Sequence, residues 1–239
     1  MCVWKLLFVV ISVGYAICGE GPLLHPCKST DIQCLRGATQ QFLEKTSKGI
    51  PQHDILPIDP IIIPELEIKI DENEGALVKL SNINVTGLKN QDISDFRMDT
   101  KEKSVLLSTG AQVDITCDIS IKLAAKVYNG IFHANANVLG NSTYNYELKT
   151  GPDGTEHFIV GPETIVGQLH GKPDAKTTFS EDSIKDPDFK ATSDRWKSKV
   201  DDLRALVIKK IIEEAYVTVI HNIRAAAKLL PKTAFFVDV

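Results

Sequence analysis

The C-terminal end of the chain carries a run that few folds can hold. Trp196, Val200, Leu203, Val207 and Ile211 step by four, three, four and four residues, the period of a helix face. The apolar stripe then widens through Ala215, Tyr216, Val219, Ile220, Ile223, Ala227 and Leu230. Ser193 or Asp194 can cap the start, and Pro231 stops the run. At 1.5 Å per residue this predicts a helix roughly 50 Å long. A helix that long, ever more apolar toward its end, has to be wrapped by the rest of the chain.

The wrapping is visible upstream. From Gln112 to Leu123 the residues alternate: Val113, Ile115, Cys117, Ile119, Ile121 and Leu123 point one way, and Asp114, Thr116, Asp118, Ser120 and Lys122 the other. That is a long half-buried strand of an antiparallel sheet. Shorter alternating runs occur at 66–70, 78–85, 132–138, 144–148 and 158–160. Asn129-Gly130, Gly140-Asn141 and Gly151-Pro152-Asp153-Gly154 read as turns between them. The stretch 182–194 is polar and reads as a loop. The fold class is therefore α+β: long antiparallel strands wrapped around one long helix.

Residues 1–18 have the form of a secretory signal peptide, with Lys5, an apolar core from Leu6 to Val13, and small residues Ala16 and Cys18 before the cleavage point. Cleavage after Gly19 is the alternative. The apolar run is too short to span a bilayer, so no stable membrane insertion is expected. Residues 19–239 could fill one large domain or two small ones and are expected to form a single binding domain. Losing Lys5 moves the formal charge from −4 to −5, 26 basic groups against 31 acidic. A mildly acidic secreted chain lacks the clustered Lys and Arg that nucleic acids require.

Removing the signal also removes Cys2 and Cys18, leaving Cys27, Cys34 and Cys117. In an oxidising compartment the close pair Cys27 and Cys34 is expected to link. Cys117 is left over on the apolar side of a strand, where a thiol behaves as a small apolar group. The sequons at Asn84-Val85-Thr86 and Asn141-Ser142-Thr143 permit glycosylation where they reach the surface.

After the cysteine pair, Thr30 or Asp31 can cap a helix running to about Lys48. Ile32, Leu35, Ala38, Phe42 and Leu43 form its narrow stripe, and Gly49 and Pro51 end it. No metalloprotease, nucleophile-elbow, phosphate-loop or Cys-x-x-Cys motif occurs, and no two histidines sit at ligand spacing on one helix face. The carboxylates fall on polar strand faces or in loops. These residues give no basis for catalysis, a metal or a cofactor, and they favour binding.

Several segments carry a family resemblance. The first runs through Ala38-Thr39-Gln40-Gln41-Phe42-Leu43-Glu44-Lys45-Thr46-Ser47-Lys48-Gly49-Ile50-Pro51 to Pro57-Ile58-Asp59-Pro60. Others are Asn84-Val85-Thr86-Gly87-Leu88-Lys89-Asn90-Gln91, Ile93-Ser94-Asp95-Phe96, and His221-Asn222-Ile223-Arg224-Ala225 followed by Pro231 and Phe235-Phe236. Together they resemble the insect haemolymph juvenile hormone-binding proteins and, more distantly, the takeout family within the tubular lipid-binding superfamily.

The resemblance implies a strongly curved antiparallel sheet wrapped around the long helix, a hydrophobic pocket for a sesquiterpenoid ester and an N-terminal lid helix. With the signal peptide, the expectation is a monomeric secreted carrier, most plainly of juvenile hormone. It implies Tyr144 as the polar anchor facing an epoxide oxygen, Tyr146 on the same strand face, and Phe158 and Phe42 as pocket aromatics. It also implies a second disulfide, at positions occupied here by Val166 and Lys209, and a tryptophan where this chain has Leu56. Without that disulfide, the long helix is expected to be held to the sheet by packing alone. Two other functions remain open: a takeout-type carrier of a different apolar ligand, and a secreted protein that acts through a receptor-binding surface.

Overall fold

The computed structural model describes residues 22–71, 76–123 and 126–239. The signal peptide expected at 1–18 lies outside the described residues. Seven strands form one antiparallel sheet: β1 (Ile61–Asp71), β2 (Ala76–Thr86), β3 (Asp92–Asp99), β4 (Ser104–Leu123), β5 (Lys126–Thr150), β6 (Glu156–Leu169) and β7 (Asp174–Phe179). Helix α1 (Ile32–Thr46) precedes the sheet. The short helices α2 (Glu181–Lys185) and α3 (Pro187–Trp196) follow it, and α4 (Val200–Leu229) lies across its concave face.

The backbone of the architecture is the β4–β5 hairpin, paired without interruption from Ser104↔Asn145 to Leu123↔Lys126. Each long strand serves two neighbours along one edge. β4 pairs with β3 through 104–110 and with β2 through 114–122. β5 pairs with β7 through 130–135 and with β6 from Val138 onward. One hairpin thus spans the whole length of α4, whose 30 residues extend about 45 Å.

Of the helix's expected stripe, Val207, Ile211, Ala215, Tyr216, Val219, Ile220 and Ala227 are buried, joined by Ile208 and Ile212, whereas Val200 is exposed and Trp196 and Leu203 are half-buried. Its start differs from expectation. Ser193 and Asp194 lie inside α3, and α4 begins at Val200 from a 3-10 turn without a side-chain cap. The loop expected over 182–194 is instead α2 and α3. Ser180 caps the first, accepting from Ser183 N at 3.3 Å. Asp186 caps the second, accepting from Asp188 N at 2.7 Å just before Pro187. Phe189 anchors α3 to the sheet, 4.7 Å from the Phe179 ring and 5.0 Å from Tyr128.

Two expected turns are also corrected. Asn129-Gly130 and Gly140-Asn141 both lie inside β5. Their glycines serve packing, not reversal. A Cβ at Gly130 would stand 2.6 Å from the Thr178 carbonyl of β7, and one at Gly140 would overlap the Tyr216 ring. Asn141 is half-buried on the outer face, its Oδ1 accepting from Ser108 Oγ at 2.6 Å. Asn84 is half-buried in β2, and its Oδ1 has no partner. The expected turn 151–154 is present and joins β5 to β6.

More than packing holds α4. Arg224 donates to Glu163 Oε2 at 2.6 Å and to the Val160 and Gly161 carbonyls at 3.2 and 2.8 Å, clamping the helix to β6. The two positions matched to the family's second disulfide do not face each other. Strand alternation turns Val166 outward, 47% exposed. Its neighbour Gly167 meets the helix instead, where a Cβ would lie 2.8 Å from the Lys209 carbonyl. Cysteines at 166 and 209 would therefore not link without backbone movement.

Cys27 and Cys34 are bonded, with Cα atoms 5.7 Å apart, and Cys117 is free and buried. Burial, with Asp118 adding, pushes the Cys117 thiol up to about 12, so it is protonated near neutral pH. The processed protein is expected to resist a thiol reagent while folded and to label at one site after denaturation. Fast labelling of the folded protein would contradict the buried placement.

Candidate ligand-binding cavity

Asp31 sets the entry to α1 by accepting from Cys34 N at 3.1 Å, beside the disulfide. This aims Leu35, Phe42 and Leu43 inward, and Arg36 Nε ties the helix to β3 by donating to the Ile93 carbonyl at 2.7 Å. The chain's two ends are stitched together above. Cys27 N donates to the Phe235 carbonyl and Val237 N to the Cys27 carbonyl, both at 3.0 Å. The backbone N–H and hydroxyl of Ser29 donate to the Asp238 carboxylate at 2.8 and 3.2 Å.

Beneath this roof lies a cavity bounded by α1, β3, the first half of β4, the second half of β5, β6 and the last turns of α4. Its volume is about 190 Å³. The four residues implied by the resemblance, Phe42, Tyr144, Tyr146 and Phe158, all border it. Period-two geometry puts Tyr144 and Tyr146 on one face of β5. Phe158 packs edge-on against Tyr146 at 5.3 Å and against Phe235 and Phe236, each at 5.9 Å. Phe96 stacks on Phe236 at 5.8 Å.

Polar side chains are a minority of the lining. Asn222 is consumed by structure: its Nδ2 donates to the Leu56 carbonyl at 2.7 Å and its Oδ1 accepts from Leu56 N at 2.8 Å. That grip on the backbone holds the segment carrying Leu56, whose side chain is exposed. Tyr144 differs. It is 8% exposed, burial raises its hydroxyl above the usual tyrosine range, and it has no hydrogen-bond partner among the described residues. A buried hydroxyl without a partner is costly unless a ligand supplies one.

Phe235, Phe236, Gln91, Thr109 and Asn222 also border the cavity. Sequence reasoning did not name them as site residues, although four lie in or just beyond segments that carried the resemblance. Thr109 has no such signal. Among the described residues, no three His, Cys, Asp or Glu side chains are grouped to hold a metal, and no helix is long and apolar enough to cross a membrane.

A curled antiparallel half-barrel, a long helix in its concavity and a short helix over an apolar cavity define a takeout-like fold. The crystal structure of Takeout 1 from Epiphyas postvittana superposes with a TM-score of 0.72 at 17% identity, covering 90% of this chain and all of that one. At that identity the likeness concerns the fold. The sequence is 43% identical over 224 residues to the juvenile hormone-binding protein of Manduca sexta, covering 92% of this chain and 98% of the relative. A profile of the family described as "Haemolymph juvenile hormone binding protein (JHBP)" matches residues 6–226. The chain belongs to that family, a family of binding proteins.

Proposed function

We propose that this protein is a secreted, monomeric carrier that binds juvenile hormone in the cavity under α1 and shields it in the haemolymph. The observation that carries the reading is an apolar cavity bordered by a buried hydroxyl, that of Tyr144, which has no hydrogen-bond partner among the described residues. Burying a long apolar ester gains ~25 cal/mol per Å² of apolar surface, and a buried donor then favours one orientation of it. The relative from Manduca sexta, named for the hormone, supports the ligand class. The Cys27–Cys34 bond supports an oxidising compartment. Phe42, Tyr144, Tyr146 and Phe158 are the proposed contacts, with no cofactor and no catalytic group.

The test is to express the chain in insect cells, collect the medium, and identify by mass spectrometry what co-purifies with the protein. The stripped protein is then titrated with juvenile hormone and with a straight-chain fatty acid, and its mass is measured in solution. Recovery in the medium as a monomer that prefers the hormone is expected. Retention in the cell, a stable dimer, or preference for the fatty acid would each overturn the corresponding part.

A further inference from the structure

Another polar side chain at the cavity wall is buried with part of its hydrogen-bonding capacity unused. Gln91 is 3% exposed and sits at the cavity wall. Its position is built by the chain around it. Gly87 turns the strand end with φ 103°, where a Cβ would overlap the Gln112 carbonyl. The 3-10 turn Leu88–Asn90 follows, held by Asp59 Oδ2, which accepts from Gly87 N at 3.2 Å and from Lys89 N at 3.3 Å.

The side chain is fixed as firmly as its backbone. The Thr109 hydroxyl donates to Gln91 Oε1 at 2.8 Å. Thr109 is itself held by Tyr216, whose hydroxyl lies 2.8 Å from Thr109 Oγ1 and donates to the Thr109 carbonyl at 3.1 Å. This uses the amide oxygen of Gln91 and leaves its NH₂, two donors, without a partner among the described residues. An oriented, unsatisfied amide at the wall of an apolar cavity is a recognition group in want of an acceptor.

We infer that Gln91 is the second anchor of the cavity, donating from Nε2 to a carbonyl oxygen at the end of the ligand remote from Tyr144. The inference rests on the carrier reading above. Along the β4–β5 hairpin, Tyr144 pairs with Val105 and Gly140 pairs with Thr109. Four residues of strand separate these rungs, roughly 13 Å at ~3.3 Å per residue. The cavity is thus marked at two places by donors, with apolar wall between. It selects an elongated ligand bearing one oxygen function near each end, such as a terpenoid with an epoxide at one end and an ester carbonyl at the other. A hydrocarbon of the same length would leave both donors unpaired.

Gln91→Met keeps chain length and apolar bulk while deleting the amide. The experiment measures dissociation constants of wild type and Gln91→Met for juvenile hormone and for an analogue whose ester carbonyl is replaced by methylene. Wild type should bind the hormone about five- to fiftyfold more tightly than the analogue, and Gln91→Met should lose that preference while binding the analogue as wild type does. The wild-type comparison stands even if the variant folds poorly. Equal affinity of wild type for the two ligands overturns the anchor, as does equal weakening of both by the variant. Failure of wild type to bind either ligand overturns the carrier reading instead.

Discussion

Alanine in place of Gly140 is expected to destabilise the protein by about 3 kcal/mol, the upper end of the usual overpacking range. Gly140 sits in β5 with β4 on one side and β6 on the other, so its backbone cannot shift without breaking two ladders. The added Cβ would fall within the Tyr216 ring, which is fully buried on α4. The ring cannot swing aside freely either, because its hydroxyl is bound to Thr109. Gly37→Ala is the control: a Cβ there meets nothing within 4 Å, and α1 should gain ~0.5–1 kcal/mol from better helix propensity. Denaturant unfolding of both variants gives the comparison. A shift below ~0.5 kcal/mol for Gly140→Ala would show that Tyr216 has room to move. Shrinking residue 216 in the same chain should recover part of the loss, since the two sites share one contact.

Gly140 also shows where sequence reasoning reaches its limit. The long helix and the β4 strand were legible because their periods are written over ten or more residues, and burial enforces them. β5 was not legible as one strand. Asn129-Gly130 and Gly140-Asn141 have the local form of turns, and only tertiary neighbours, β7 in one case and Tyr216 in the other, reveal glycines that make room. The helices α2 and α3 were missed for the opposite reason. Their caps, Ser180 and Asp186-Pro187, stand in the sequence, but α3 buries no residue fully and leaves no stripe to read.

The site divides along the same line. Alternation puts Tyr144 and Tyr146 on one face of a strand, yet no local pattern separates a cavity tyrosine from a core one. Tyr216 is more deeply buried than either, and its hydroxyl is fully engaged. It took the family resemblance to single out Tyr144, Phe158 and Phe42. Gln91 escaped because a glutamine after a turn is ordinarily solvated. Its burial depends on Asp59 and Thr109, which lie 32 residues before it and 18 after it in the sequence. The Val166–Lys209 match failed on a single step of strand alternation, since a shift of one residue turns a side chain to the opposite face.

Phe158→Ala and Tyr144→Phe are expected to weaken hormone binding by different routes. Phe158 stands at the centre of the aromatic cluster, touching Tyr146, Phe235 and Phe236. Truncating a buried phenylalanine costs ~3–5 kcal/mol, shared here between fold stability and the ligand contact. Because the loss is apolar, it should fall equally on the hormone and on an analogue lacking the epoxide. Tyr144→Phe keeps the ring and deletes the hydroxyl donor, so the fold should survive; that hydroxyl has no partner among the described residues to lose. Deleting a neutral hydrogen bond costs ~0.5–1.5 kcal/mol, and up to ~3 if the epoxide oxygen is left buried and unpaired. Hormone affinity should therefore drop by a few-fold to about a hundredfold, while the analogue without the epoxide binds as well as before or better. Titrating both variants with both ligands separates the two routes. If Tyr144→Phe weakens both ligands equally, or neither, Tyr144 does not hold the epoxide, and an apolar ligand without that group becomes the better occupant of the cavity.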